Sequence, residues 1–126
     1  MAKLCKEVSL AWENMKGALV FTTVSASGEA NSIYATCVGK YDESTLVIAD
    51  NYFNKTRENI LNGTPKGVIL FITNDDKAYQ IKGHLEYYKE GKIFDFMKGF
   101  NSTSHPGHAA VVLKVEEVYK GAEQLV

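Results

Sequence analysis

The stretch Asp50-Asn51-Tyr52-Phe53-Asn54-Lys55-Thr56-Arg57-Glu58-Asn59 holds the densest set of residues able to do chemistry. Asn54 can cap a helix whose first turn then carries Lys55 and Thr56. The first backbone N–H groups of a helix have no intrahelical partners, and the helix dipole adds about half a positive charge there. A lysine and a hydroxyl in that turn complete a cradle for a phosphate. The same two residues also suit an exposed first turn with no ligand, where the dipole is worth under ~1 kcal/mol. The surroundings must choose between the two.

Other reactive side chains are few. His105-Pro106-Gly107-His108 sets two imidazoles three residues apart, but a Pro-Gly turn between them makes no helical ligand pair. With His84 as the remaining histidine and no third ligand at suitable spacing, no metal site is expected. Both are read as loop histidines, with a proton-donating role near a cofactor left open. Cys5 and Cys37 form no CxxC pair and are too few for a disulfide framework, so both read as reduced thiols. Cys37, on an alternating strand, suits packing better than nucleophilic attack. Tyr87, Tyr88, Phe94, Phe96 and Phe100 fit a core or a dimer face better than a base-stacking surface.

The elements that must position these residues follow from periodicity. Leu4, Val8, Ala11, Trp12 and Met15 fall on one stripe and predict a helix over Lys3–Met15, ended by Gly17. Ala18–Ser25 and Glu29–Gly39 predict a hairpin around Ala26-Ser27-Gly28. Asp42-Glu43-Ser44 turns into Thr45–Ala49, an apolar strand suited to burial on both faces. A short helix over Lys55–Leu61, stopped by Asn62-Gly63, precedes an apolar strand over Gly67–Thr73. Beyond the Asn74-Asp75-Asp76 turn, Tyr79, Ile81, Gly83, Leu85 and Tyr87 alternate with Gln80, Lys82, His84 and Glu86, a strand with one wet face. Lys92–Phe100 predicts a second short helix with Ile93, Phe96, Met97 and Phe100 on one side. A polar loop over Asn101–Gly107 leads to a sixth strand, Ala109–Val118. Successive hairpins without a strict βαβ rhythm predict a mainly β protein with peripheral helices, a six-stranded antiparallel barrel.

Bulk properties narrow the function classes. The chain has 126 residues, room for one domain spanning 1–126, and 45% hydrophobic content is ample for a folded core. Fourteen basic residues against fifteen acidic ones give a net charge of -1 with interspersed signs, which argues against a nucleic-acid surface. No run approaches the ~20 apolar residues of a membrane span, and Met1-Ala2-Lys3-Leu4-Cys5-Lys6-Glu7 lacks the marks of a signal peptide. A cytoplasmic location is expected, in which case the sequons at Asn62 and Asn101 carry no sugar.

Gly28-Glu29-Ala30-Asn31-Ser32-Ile33-Tyr34-Ala35-Thr36, then a strand, then Lys55-Thr56 followed by Asn59, resembles the flavin-binding split-barrel family related to pyridoxamine 5'-phosphate oxidase. Tyr79-Gln80-Ile81-Lys82-Gly83 looks like that family's strand with glycine after a basic residue. The resemblance covers nearly the whole chain in order, and the family's small bacterial FMN-binding proteins match it in length. It implies a six-stranded antiparallel split β-barrel and a homodimer with two FMN molecules at the interface. Each FMN would be held mostly by one subunit and closed over by the other. Lys55 and Thr56 match the phosphate-binding positions, and Ser32, Ile33, Tyr34 and Ala35 match the strand that lines the isoalloxazine. Asp50 and Asn51 match the neighbouring strand end, and His105, Pro106 and His108 match the stretch that reaches the flavin from the partner subunit. Tyr34 fits equally a place beside the flavin or a plug inside the barrel.

The chemistry of FMN is consistent with the resemblance, because a phosphate dianion and a flat apolar ring need an anion hole beside a strand edge. The implied function is an FMN-binding oxidoreductase that passes electrons or hydride, served by a redox partner or nicotinamide donor. The alternatives are a flavin or planar-ligand binding or sensor module without turnover, and a structural dimer with an empty groove. One departure stands out. The oxidase proper holds its substrate phosphate with C-terminal arginines, whereas Arg57 is the only arginine here, so vitamin oxidation is not expected.

Overall fold

The computed structural model describes residues 2–126. Leu4, Val8, Ala11 and Trp12 are buried along one stripe, as their spacing predicts. The helix itself, α1 (Lys6–Glu13), is shorter than the expected Lys3–Met15. The Leu4 N–H is spent on the Glu43 carbonyl at 2.7 Å, and Met15 leaves the helix to bridge Thr73. Strands β1 (Leu19–Val24) and β2 (Ala30–Ala35) form the expected hairpin, with Gly28 at φ +89° in its turn. A side chain there would be strained, which is the physical reason for glycine.

The extended run expected over Glu29–Gly39 is two strands. β2 stops at Ala35, and β3 (Val38–Asp42) begins after a two-residue link, Thr36-Cys37. The remaining elements are β4 (Thr45–Asp50), α2 (Lys55–Asn62), β5 (Thr64–Ile72), β6 (Ala78–Tyr88), α3 (Lys92–Phe100), β7 (Ala109–Lys120) and β8 (Glu123–Gln124). The sheet therefore has eight strands and not six; β3 starts on the last two residues of the expected Glu29–Gly39 run and continues to Asp42, and β8 is a short pairing in the tail. All pairings are antiparallel, in the order β2-β1-β5-β6-β7-β4-β3, with β8 on β7.

That order puts β2 and β3 at opposite edges, yet only Thr36 and Cys37 separate them. Three residue steps span at most ~11 Å. Seven strands laid flat would hold their outer members ~29 Å apart. The sheet must curl until its edges nearly meet, giving an open half-barrel.

The concave core joins Leu19 and Phe21 of β1, Ile69 and Phe71 of β5, Ile81 and Leu85 of β6 and Leu113 of β7 to the α1 stripe. Trp12 meets Phe71 edge-on at 5.8 Å between ring centroids. A second cluster lies on the convex side, where Met97 of α3 covers Val47 and Ala49 of β4 and Ala110 and Val112 of β7. All six residues of β4 are buried, Thr45–Ala49 as expected and Asp50 in addition. α3 spans Lys92–Phe100 as expected and sits directly on β3, where a Cβ at Gly39 would lie 2.9 Å from the Phe100 ring.

On β6, Tyr79, Ile81, Gly83 and Leu85 are buried while Gln80, Lys82, His84 and Glu86 are half-exposed. The Lys82-Gly83 step is a bulge against β7, and a Cβ at Gly83 would overlap the Lys114 carbonyl.

Candidate ligand-binding cleft

The chain leaves β4 at Asp50 and turns through residues 51–54 into α2. Asn54 stands at the N-cap as expected, but its side chain makes no capping bond. The Phe53 N–H, just before the helix, donates to Asp50 Oδ1 at 3.2 Å. The first-turn N–H groups of α2 therefore keep no side-chain acceptor and remain open to an anion. Lys55 is exposed and only 3.8 Å from Glu58, a loose contact that leaves it able to reach outward.

Two hydrogen bonds fasten this turn to the sheet. Asn31 Nδ2 on β2 donates to Thr56 Oγ1 at 3.2 Å, and Asn59 Nδ2 donates to Thr23 Oγ1 on β1 at 3.1 Å. Thr56 and Asn59 are both buried. Because Thr56 Oγ1 accepts from Asn31, its own proton is free to be donated elsewhere.

Between α2 and the edge of β2 lies a cleft of about 460 Å³, within the usual size range of ligand sites. Asn31, Ile33 and Ala35 of β2 form one wall, with Tyr34 at the rim. Thr36 and Cys37 of the link, together with Ala49 and Phe53, supply more of the lining. Lys55 and Thr56 close the end at the helix, and Asn51, Tyr52, Asn54 and His105 complete the opposite side. No carboxylate lines the cleft among the described residues.

The cleft gathers seven of the residues singled out from the sequence: Ile33, Tyr34, Ala35, Asn51, Lys55, Thr56 and His105. The other four lie outside its lining. Ser32 points to the convex side of the sheet, bonded to Thr22 Oγ1 at 2.8 Å. Pro106 accepts Lys98 Nζ at its carbonyl at 3.1 Å, and His108 donates its N–H to the Asp50 carbonyl at 2.8 Å. Tyr34 is 79% exposed, so it does not plug the barrel.

Asp50 is fully buried at the centre of a separate network. Arg57 forks onto it through Nε (2.7 Å) and an Nη (2.9 Å), and the Tyr87 hydroxyl donates at 2.6 Å. Burial alone would push this carboxyl up. The donors from Arg57, Tyr87 and the Phe53 N–H outweigh it and hold the carboxyl below its usual range. Tyr87 is pushed up to about 12, first by burial and then by the carboxylate it serves. The one arginine is thus turned onto Asp50 and offers its fork to no ligand phosphate.

Asn51 turns the opposite way. Its amide pairs reciprocally with Asn101 at 3.0 and 2.9 Å, and its Oδ1 also accepts the Gly107 N–H at 2.9 Å. These bonds pin the 101–108 loop so that His105 lines the cleft of its own chain, with Nδ1 3.1 Å from the Tyr52 hydroxyl. The resemblance places that loop over the partner's flavin; within the single chain its His105 borders the chain's own cleft.

Asn31, Thr36, Cys37, Ala49, Tyr52, Phe53 and Asn54 line the cleft without having been assigned to it from sequence. Asn31 was within reach, since it shares a strand face with Ile33 and Ala35. Nothing local marks Tyr52, whose place depends on the folding of the loop that carries His105. Among the described residues no group of three His, Cys, Asp or Glu could hold a metal ion, and no helix is long and apolar enough to cross a membrane.

The sequence matches the family described as Pyridoxamine 5'-phosphate oxidase over residues 7–121. The chain belongs to the pyridoxamine 5'-phosphate oxidase family. An uncharacterized protein of Methanocaldococcus jannaschii is 34% identical to it over 125 residues, covering 94% of this chain and 81% of that one. An FMN-binding protein of Syntrophomonas wolfei has a similar structure, with TM-score 0.74 and 24% identity over 88% of this chain and 80% of the other. HutZ, the heme storage protein of Vibrio cholerae, has TM-score 0.66 and 15% identity over 94% of this chain and 95% of its own. One of these structures is named for FMN and the other for heme, so this family fold does not by itself select the ligand.

Proposed function

We propose that this chain binds FMN in the cleft between α2 and β2 and acts as a homodimeric flavoprotein that passes electrons or hydride. The observation that carries the proposal is the uncapped first turn of α2, with Lys55 and a free Thr56 proton, at one end of a largely apolar cleft. A phosphate suits that end because open N–H groups, a cation and a hydroxyl converge there, while the first-turn carboxylate, Glu58, stands beside Lys55 outside the lining. A flat ring suits the rest. Ile33, Ala35, Ala49 and Phe53 exclude water from its faces, and β2, an edge strand, has backbone groups free to meet the ring's polar rim. When bound, the flavin supplies reversible electron transfer, while the protein anchors it and sets its surroundings.

Two features support a second copy closing the site. Tyr34 and Tyr52, on either side of the cleft, are 79% and 71% exposed. Tyr34 also continues a convex row through Val20 to Leu70, register partners across β2, β1 and β5, and Leu70 is exposed. An apolar row of this kind marks an interaction surface.

Freshly purified protein should be yellow, or take up FMN with quenching of flavin fluorescence. Lys55→Ala should weaken that binding about tenfold, equivalent to ~1.4 kcal/mol. Colourless protein that ignores added FMN would overturn the proposal. The second reading, a planar-ligand holder without turnover, draws on the lining's lack of a carboxylate and on Asp50 being turned away into its own network. Anaerobic addition of a nicotinamide donor separates the two, since bleaching of the bound flavin supports an oxidoreductase and inertness a holder. A parallel titration with heme shows whether the cleft prefers that ring.

A further inference from the structure

Asp50 has no exposed surface and cannot touch a ligand, yet its side chain joins three elements. It ends β4, receives Tyr87 from β6 and Arg57 from α2, and accepts the Phe53 N–H from the turn between β4 and α2. Arg57 directly follows Lys55-Thr56 on the first turn of that helix. We infer that Asp50 is a positioning residue for the phosphate end of the cleft: through the Arg57 fork and the Phe53 N–H it fixes where the open first turn of α2 stands. This inference rests on the FMN reading of the cleft. The neighbouring wall has its own anchor, because Asn51 holds the His105 loop through Asn101 and Gly107. The Asp50 side chain therefore bears mainly on the phosphate end, through the Arg57 fork, and on the ring only through the Phe53 backbone N–H.

That asymmetry gives a test that a purely structural carboxylate would fail. FMN and riboflavin share the ring and differ by the phosphate, so the ratio of their affinities reads the phosphate end alone. Asp50→Asn keeps the shape but takes one acceptor from the Arg57 fork. It also leaves the Arg57 charge unbalanced next to Thr56, and such a charge acts over about a Debye length, ~10 Å at 0.1 M salt. Charge alone would tighten FMN, whereas misplacement of the turn loosens it. The two effects have opposite signs.

The experiment titrates wild type, Asp50→Asn and Tyr87→Phe with FMN and with riboflavin, and records a thermal melt of each. Expected are a roughly tenfold loss for FMN and under about threefold for riboflavin in Asp50→Asn, since small displacements of a preorganised site cost this much or more. Tyr87→Phe removes one hydrogen bond from the network, should fold even where Asp50→Asn does not, and should move the ratio the same way by less. An unchanged or increased preference for FMN, or equal losses for both flavins in step with the melting temperature, would overturn the inference while leaving the FMN reading intact. Wild-type protein that binds neither flavin would overturn the reading itself and the inference with it.

Discussion

At the residue scale, Asp50 keeps its charge where an isolated carboxylate would surrender it. Three donors outweigh the cost of burial, so its proton leaves more readily in the folded chain than in the unfolded one. A carboxyl depressed in this way stabilises fully above its unfolded value, ~3.9, and the contribution fades as pH falls through the lower folded value. Urea melts followed by the fluorescence of Trp12, the single tryptophan, should therefore show wild type losing stability steeply below about pH 4. Asp50→Asn should be weaker at pH 7 and lose less on acidification; equal acid slopes would count against the depressed carboxyl. Residue type alone revealed Lys55 and Thr56, because helix-start chemistry is local. The role of Asp50 was not legible, since its partners lie 7 and 37 residues away. Ser32 shows another limit: a one-residue step along a strand reverses the face, and only the hairpin register assigns it.

At the element scale, two glycines give opposite expectations. Gly99 lies within α3 with nothing near its would-be Cβ, so Gly99→Ala should raise stability by up to ~1 kcal/mol through helix propensity. Gly83→Ala should lower it well beyond that, because a methyl at the bulge meets the Lys114 backbone. Parallel urea denaturation of the two variants checks both signs. Elements with a strong period were plain in the sequence, namely α3, the alternating face of β6 and the apolar run of β4. The break between β2 and β3 was not. Nothing in Thr36-Cys37 punctuates an extended run, and the chain changes sheet edge there because the whole sheet has to close. Asn54 shows the converse, with a good capping residue in the right place whose side chain makes no cap.

At the scale of the whole molecule, hairpin succession was enough to anticipate an antiparallel, mainly β architecture, while the strand count was not, because β3 and β8 carry no local signal. The assembly is open to direct measurement. Sedimentation should give twice the monomer mass, and Leu70→Glu, which puts a charge into the exposed row with Val20 and Tyr34, should shift the protein toward monomer. A monomer at all concentrations for the wild type would remove the second copy from the proposed function.

The Thr36-Cys37 link has two roles at once. It is the hasp that draws the free margins of the curled sheet together, and both its residues face the cleft. Any molecule lodged there lies against the fastening of the wall, so uncurling the sheet would require letting that molecule go. Occupancy and closure become one equilibrium, in which the guest helps to keep its own container shut.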